Sequence, residues 1–271
     1  MNQLWHRFKT SRILDDCPIY DMHGHWGSTP GIALPAADEQ IAQSLLRQMG
    51  VKRLVFCHHH ALFSPDVGND ANIAAVRALP DVLRAYMGIN PNYPEEIERD
   101  LARFDDYRDV FVGFKFLAGY HKIALEDERN RPAWEFASAR RLPVLMHTWG
   151  GSAVDGHENV RKIAERYPDV PLLCGHSFFG DWDPAIELAG TFPNLYLELT
   201  AILIERGHLE RLFDAVGSAK LVFGTDFPWF SHAYSLGVLL GSGIGEEDCR
   251  NILYRNAQRL LGEQGVERKT Q

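Results

Sequence analysis

The stretch Asp21-Met22-His23-Gly24-His25 holds the residues of this chain best suited by type and spacing to chemistry. On an extended strand, side chains alternate between faces, so Asp21, His23 and His25 are expected to project from one side. Two imidazoles one pleat apart suit chelation of a single divalent ion, and the small residue between them lets the backbone run close to it. Alone, a His-x-His pair fits two histidines beside a turn equally well. The other polar groups placed at the ends of apolar runs extend the pattern: His58, Lys115, His147, His176 and Asp226. Three neutral nitrogens and one carboxylate converging on one rim are a donor set that zinc and similar borderline ions favour. His6, His121, His157, His208 and His232 fall on expected helices or loops and read as surface or packing residues.

The elements that must position these groups alternate regularly. A leading helix is expected over 2–14, then a strand over 19–25, a turn-rich loop over 27–35 and a helix whose face carries Ile41, Leu45, Leu46 and Met49. Strands are expected at 51–57, 83–89, 110–116, 142–147, 170–176, 195–199 and 221–226. Helices are expected at 70–79, from Pro94 through Phe104, and at 126–141, 157–167, 183–190, 205–216 and 246–262. Strand starts recur roughly every 24–34 residues, the length of a βα unit. The strands are mostly continuous apolar runs, as a parallel sheet covered on both faces requires. Eight such units predict an α/β fold, a (β/α)8 TIM barrel formed as a single domain over residues 1–271, with a doubly wound open sheet as the alternative. In such a barrel the active site lies at the C-terminal ends of the strands, where the polar groups concentrate.

Composition narrows the partners. A hydrophobic share of 45% provides for a sizeable core, and a net charge of -8 without a basic stripe argues against nucleic acid or an anionic membrane. The N-terminal residues lack the apolar core of a signal peptide, and no run approaches membrane-spanning length. Cys17, Cys57, Cys174 and Cys249 show neither a CxxC nor a framework spacing and read as reduced thiols of a cytoplasmic protein. There is no phosphate-cradling glycine loop and no GxSxG nucleophile turn. The expected partner is a small-molecule substrate, and a homo-oligomer is left open.

The combination of Asp21-x-His23-x-His25, His147, His176 and Gly224-Thr225-Asp226-Phe227-Pro228-Trp229 resembles the amidohydrolase superfamily. Within it the likeness is greatest to the amidohydrolase-related branch, which contains aminocarboxymuconate-semialdehyde decarboxylase and related hydrolases. Gly88-Ile89-Asn90-Pro91 and Asn256-Ala257-x-Arg259-Leu260-Leu261-Gly262 are similar to that branch's third strand and C-terminal helix. The resemblance implies one divalent metal, zinc or else manganese, held by His23, His25, His147 and Asp226. It also implies that His176 is free for acid/base work. A metal ion lowers the pKa of a bound water from 15.7 to about 7, and Asp226 could combine ligation with accepting that water's proton. Asp21 is expected either to orient a ligand imidazole or to anchor the barrel floor.

Lys115 has two readings. Binuclear members of the superfamily use a carboxylated fourth-strand lysine to bridge a second metal, with His147 and His176 as its further ligands. The alternative is an ordinary ammonium contacting a substrate carboxylate or an ion pair. Trp26, Trp149 and Trp229 follow ligand-bearing strands and could stack on a flat substrate, and His58 of the His58-His59-His60 run would face the lumen if the strand continued. The expected activity is hydrolysis of a small ester, lactone or amide through a metal-activated water. The alternatives are non-oxidative decarboxylation of a small aromatic or muconate-like acid and, from another class, a non-catalytic metal-binding barrel.

Overall fold

The computed structural model describes residues 3–28, 33–34, 38–204 and 206–262. Its eight strands are β1 (Ile19–Trp26), β2 (Val51–His58), β3 (Leu83–Ile89), β4 (Phe111–Phe116), β5 (Val144–Trp149), β6 (Leu172–Phe179), β7 (Leu195–Glu198) and β8 (Leu221–Val222). All neighbours pair in parallel, in sequence order. The ring closes because the segment after β8 hydrogen-bonds to β1: Met22 N donates to Phe223 O at 2.9 Å, Asp226 N to His23 O at 2.8 Å and His25 N to Phe227 O at 2.6 Å. An open sheet would leave those groups unpaired, so the fold is the (β/α)8 barrel.

The helices are α1 (Gln3–Ser11), α2 (Glu39–Gln48), α3 (His59–Phe63), α4 (Asp70–Ala78), α5 (Pro94–Arg103), α6 (Ala118–His121) and α7 (Arg131–Arg140). They continue with α8 (His157–Arg166), α9 (Trp182–Thr191), α10 (His208–Val216), α11 (His232–Gly241), α12 (Glu246–Arg250) and α13 (Asn256–Leu261). Apolar side chains fill the layer between helices and strands, where Phe116 stacks on Trp134 with ring centroids 4.4 Å apart. A second cluster, including Tyr20, Met22, Val55, Tyr86, Leu145, Leu173 and Val222, fills the barrel interior. Below it Ala257 closes the floor, and Asn256 Nδ2 donates to Ser218 O at 2.7 Å and Leu221 O at 2.8 Å.

Several boundaries differ from expectation for local reasons. The leading helix ends at Ser11 because Arg12 turns left-handed, and its expected first residue, Asn2, lies outside the described residues. The helix expected from 126 starts at Arg131, after a 3-10 turn at Glu128–Asn130 capped by Asp127. The eighth strand pairs with β7 only over Leu221–Val222, since the following residues turn to β1. The last helix is interrupted by a π turn at Asn251–Arg255. The loop expected over 27–35 lies largely outside the described residues, as does Glu205 at the start of the helix expected over 205–216. None of the four cysteines forms a disulfide, and all are buried.

β1 departs from regular alternation. Its register against β2 shifts between Asp21 and Gly24, so three β1 steps oppose two on the partner. Tyr20 and Met22 face the interior cluster, yet His23 and His25 line the cavity above it. Asp21, one residue before the shift, is turned away from the ligand face. It accepts hydrogen bonds from His23 N at 3.0 Å, Thr225 N at 3.2 Å and Thr225 Oγ1, and its Oδ2 lies 2.8 Å from His232 Nε2 on α11. The expectation that Asp21 shares a face with the two histidines is therefore corrected. It ties β1 to the segment after β8 and to α11, and touches no imidazole of the cavity.

Candidate metal centre

A cavity of about 400 Å³ opens at the C-terminal ends of the strands. On its floor, one ligand atom from each of His23, His25 and Asp226 lies within 4.8 Å of the others. Asp226 Oδ1 is 3.3 Å from His23 Nε2 and 3.1 Å from His25 Nε2. Asp226 reaches this position from a left-handed backbone (φ +60), a conformation that costs energy in a non-glycine residue and here aims the carboxylate at both rings. Two residues earlier a glycine is required: a Cβ on Gly224 would stand 2.0 Å from Glu198 Oε1 and 2.9 Å from the His23 Cβ.

Electrostatics sets these groups in metal-ready protonation states. Burial, joined by the Lys115 ammonium, pushes the His23 pKa well below its ordinary value, and burial likewise lowers that of His25. Burial alone would raise the Asp226 pKa, but the imidazoles of His23, His25 and His176 outweigh it and hold the carboxyl well below the usual range. Neutral imidazoles beside an ionised carboxylate are the forms a divalent ion requires. Asp226 Oδ1 is also buried with no hydrogen-bond partner among the described residues. The donor set fits a divalent cation.

Carboxylates behind the rings fix their tautomers. Glu198, fully buried at the end of β7, accepts from His23 Nδ1 at 2.8 Å, which leaves Nε2 facing Asp226. The same carboxylate accepts from His176 N at 3.2 Å, Thr200 N at 2.7 Å and Thr200 Oγ1 at 2.6 Å. Asp155, in the loop after β5, accepts from His147 Nδ1 at 2.9 Å. Neither carboxylate belongs to a recognisable motif. The available signal for Glu198 was a lone acid in the apolar run Leu195-Tyr196-Leu197-Glu198-Leu199.

His147 stands beside the three-residue cluster, its ring 4.9 Å from that of His176 and 5.8 Å from Trp149. The His176 ring lies 5.1 Å from that of His23, and its Nδ1 is buried without a partner among the described residues. Burial pushes the His176 pKa well down. His176, Ser177 and Phe178 are three successive left-handed residues. They are braced by Thr148, which donates to Gly175 O at 2.7 Å and accepts from Phe178 N at 3.0 Å, and by Ser177, which donates to Glu198 O at 2.8 Å. Lys115 enters the lumen from β4, and its Nζ lies 2.8 Å from His23 Nε2. Burial brings its pKa down to about 8.

The aromatic candidates divide. Trp149 and Trp229 line the cavity together with Phe63, Tyr120, Phe179 and Phe230. Trp26 does not, because it alternates outward from His25; it packs on Phe56 and donates to Glu39 Oε1 at 3.2 Å. His58 is also absent from the wall. It ends β2 and caps α3, its Nδ1 accepting from His60 N at 3.1 Å. The chain turns helical at His59, so strand periodicity no longer applies and His59 takes the cavity position instead. Among the histidines read as packing residues, His121 donates from Nε2 to Leu62 O at 2.9 Å and His232 is buried beside Asp21.

Comparison with known proteins extends this picture. The sequence model of the family described as amidohydrolase matches residues 20–262. No curated protein matches the chain. Among solved structures, the chain is similar to 5-carboxyvanillate decarboxylase from Sphingomonas paucimobilis, with a TM-score of 0.70 and 13% identity over 91% of this chain and 99% of that one. It is similar to 2,6-dihydroxybenzoate decarboxylase from Rhizobium, with a TM-score of 0.70 and 13% identity over 91% of this chain and 100% of that one. A third similar structure is 5-carboxyvanillate decarboxylase from Novosphingobium aromaticivorans complexed with manganese and 4-hydroxy-3-methoxy-5-nitrobenzoic acid (TM-score 0.70, 10% identity, 91% of this chain and 96% of that one). At these identities the likeness establishes the barrel fold. Among the described residues, no helix is long and apolar enough to cross a membrane.

Proposed function

The chain belongs to the amidohydrolase family, a family of divalent-metal-dependent enzymes, and on that premise we propose that it is a non-oxidative decarboxylase of a small aromatic or muconate-like acid. The observation that carries this reading is the cavity: aromatic walls stand over a His-His-Asp cluster, and Lys115 is the one lysine or arginine lining it among the described residues. Flat walls of Trp149, Trp229 and Phe179 suit a planar organic substrate, and one buried cation suits one carboxylate. Three similar folds that act on, or are complexed with, benzoic acids support this choice over hydrolysis, the activity first expected. The manganese in one of them supports manganese beside zinc as the metal.

His23, His25 and Asp226 would hold the ion, with His147 as the fourth ligand implied by the resemblance. When bound, it would supply a Lewis acid that polarises the substrate's oxygen atoms. Loss of carbon dioxide breaks the bond between the carboxyl carbon and the organic fragment. The electron pair stays with the fragment, whose carbon must then take a proton. His176 is placed to manage that proton, since its neutral imidazole lines the cavity and the ring can take a proton from solvent and pass it to that carbon. Lys115 contacts the substrate carboxylate, and the aromatic walls exclude water as the carboxylate is converted to neutral carbon dioxide.

The test is release of carbon dioxide from a panel of hydroxybenzoates and muconate-like acids by manganese-loaded protein. Chelation should abolish the release and added metal restore it. Turnover of lactones or esters in the absence of carbon dioxide release from any acid would return the assignment to a hydrolase.

A further inference from the structure

The two β1 histidines are held from behind in different ways. His23 has its Nδ1–H on Glu198 at 2.8 Å, whereas His25 Nδ1 is buried and has no hydrogen-bond partner among the described residues. A ligand ring without such a bond can rotate about its side-chain torsions unless packing stops it. Packing is present: the His59 ring lies parallel to that of His25, with centroids 5.0 Å apart and planes 8° apart. Phe63 continues the pile behind His59 at 6.5 Å and 13°. Trp229 stands nearly perpendicular to both imidazoles, its centroid 4.9 Å from that of His25 and 5.2 Å from that of His59. His59 is itself fixed, because its Nδ1–H donates to the Gly27 carbonyl at 2.7 Å and the residue is 1% exposed. That carbonyl is set by a left-handed glycine (φ +73) whose Cβ, if present, would meet the His58 ring at 2.2 Å.

We propose that His59 is a positioning residue of the metal centre, holding the plane of His25 by stacking as Glu198 holds His23 by a hydrogen bond. This role rests on the reading of His23, His25 and Asp226 as the metal-binding cluster. It assigns the second member of the His58-His59-His60 run a task in metal binding without making it a ligand. It also makes the two first-strand ligands unequal: one is backed by an anion, the other by an aromatic plane.

The experiment measures manganese and zinc affinity by competition with a chromophoric chelator, and the visible spectrum of cobalt-loaded protein, in wild type and three variants. His59→Ala removes the plane, His59→Asn retains a donor for Gly27 but no ring, and His59→Phe keeps the ring without the donor. We expect about 10- to 100-fold weaker binding and an altered cobalt spectrum for the alanine and asparagine variants, the range seen when groups behind a metal ligand are removed. The phenylalanine variant should bind within about threefold of wild type, because the plane is restored. Metal-free thermal unfolding shows whether each variant folds. If His59→Ala does not fold, the asparagine and phenylalanine pair decides. Asparagine binding like wild type, or phenylalanine binding as weakly as asparagine, would overturn the proposal. Wild type that bound neither metal would instead overturn the reading of the cluster on which the proposal stands.

Discussion

Replacing Glu198 by alanine should disturb stability and metal binding together. The carboxylate is fully buried and accepts four hydrogen bonds, from His23 Nδ1, His176 N, Thr200 N and Thr200 Oγ1. The threonine hydroxyl can rotate to another acceptor, which leaves three N–H donors buried without a partner in Glu198→Ala. At about 1 kcal/mol each, the low end for such groups, the loss is about 3 kcal/mol. For a chain of this size that corresponds to a fall in melting temperature of about 6–12 °C. The His23 tautomer is no longer fixed, so metal affinity should fall about 10- to 100-fold. Glu198→Gln separates position from charge. Its amide oxygen can keep both the His23 and the His176 donors, and only Thr200 N then faces an amide nitrogen. Metal affinity of the glutamine variant should stay within about tenfold of wild type, above that of alanine. Chelator competition and thermal unfolding of metal-free protein read the two effects separately. An alanine variant that binds metal within about twofold of wild type would refute the reasoning, since His23 would then need no carboxylate behind it.

Other outcomes follow from the same geometry. His176→Asn should lower the turnover number about 10²- to 10⁴-fold while metal content stays at the wild-type level, as measured by elemental analysis beside carbon dioxide release. Wild type should hold one tight ion per chain and Lys115→Ala should hold the same number, with the mutation acting on substrate affinity; two ions in wild type and one in the variant would make Lys115 a bridging ligand. Asp21→Asn replaces an acceptor of three hydrogen bonds where β1 meets the segment after β8, and should cost about 2 kcal/mol, or about 4–8 °C in thermal unfolding.

The barrel could be read from the sequence because its βα alternation is regular and its buried strands are continuous apolar runs. The cluster on its rim was partly legible as well, since His23, His25 and Asp226 end their runs where a ligand would have to sit. Two of the misplaced residues lie where local geometry breaks a period. Asp21 left the ligand face because of the shift in β1, and the cavity role passed from His58 to His59 because the chain turns helical there. Trp26 is excluded by simple alternation from His25. Glu198 and Asp155 could not be assigned, because a carboxylate's partner is fixed by the closure of the barrel and not by neighbours in sequence. Helix α11 lacks a sequence signal for another reason. His232-Ala233-Tyr234-Ser235-Leu236-Gly237-Val238-Leu239-Leu240-Gly241 is rich in apolar and small residues, without a clear polar face to mark a helical period.

The extra residue in β1 bears on any attempt to move this site elsewhere. On a strict two-residue repeat, a strand that turns Tyr20 and Met22 inward must turn His23 and His25 outward. Grafting Ile19–Trp26 onto an idealised barrel scaffold with regular strands would deliver both imidazoles to the helix layer, whatever the identity of the transplanted side chains. The metal-binding capacity of the segment is encoded in a residue count as much as in its histidines.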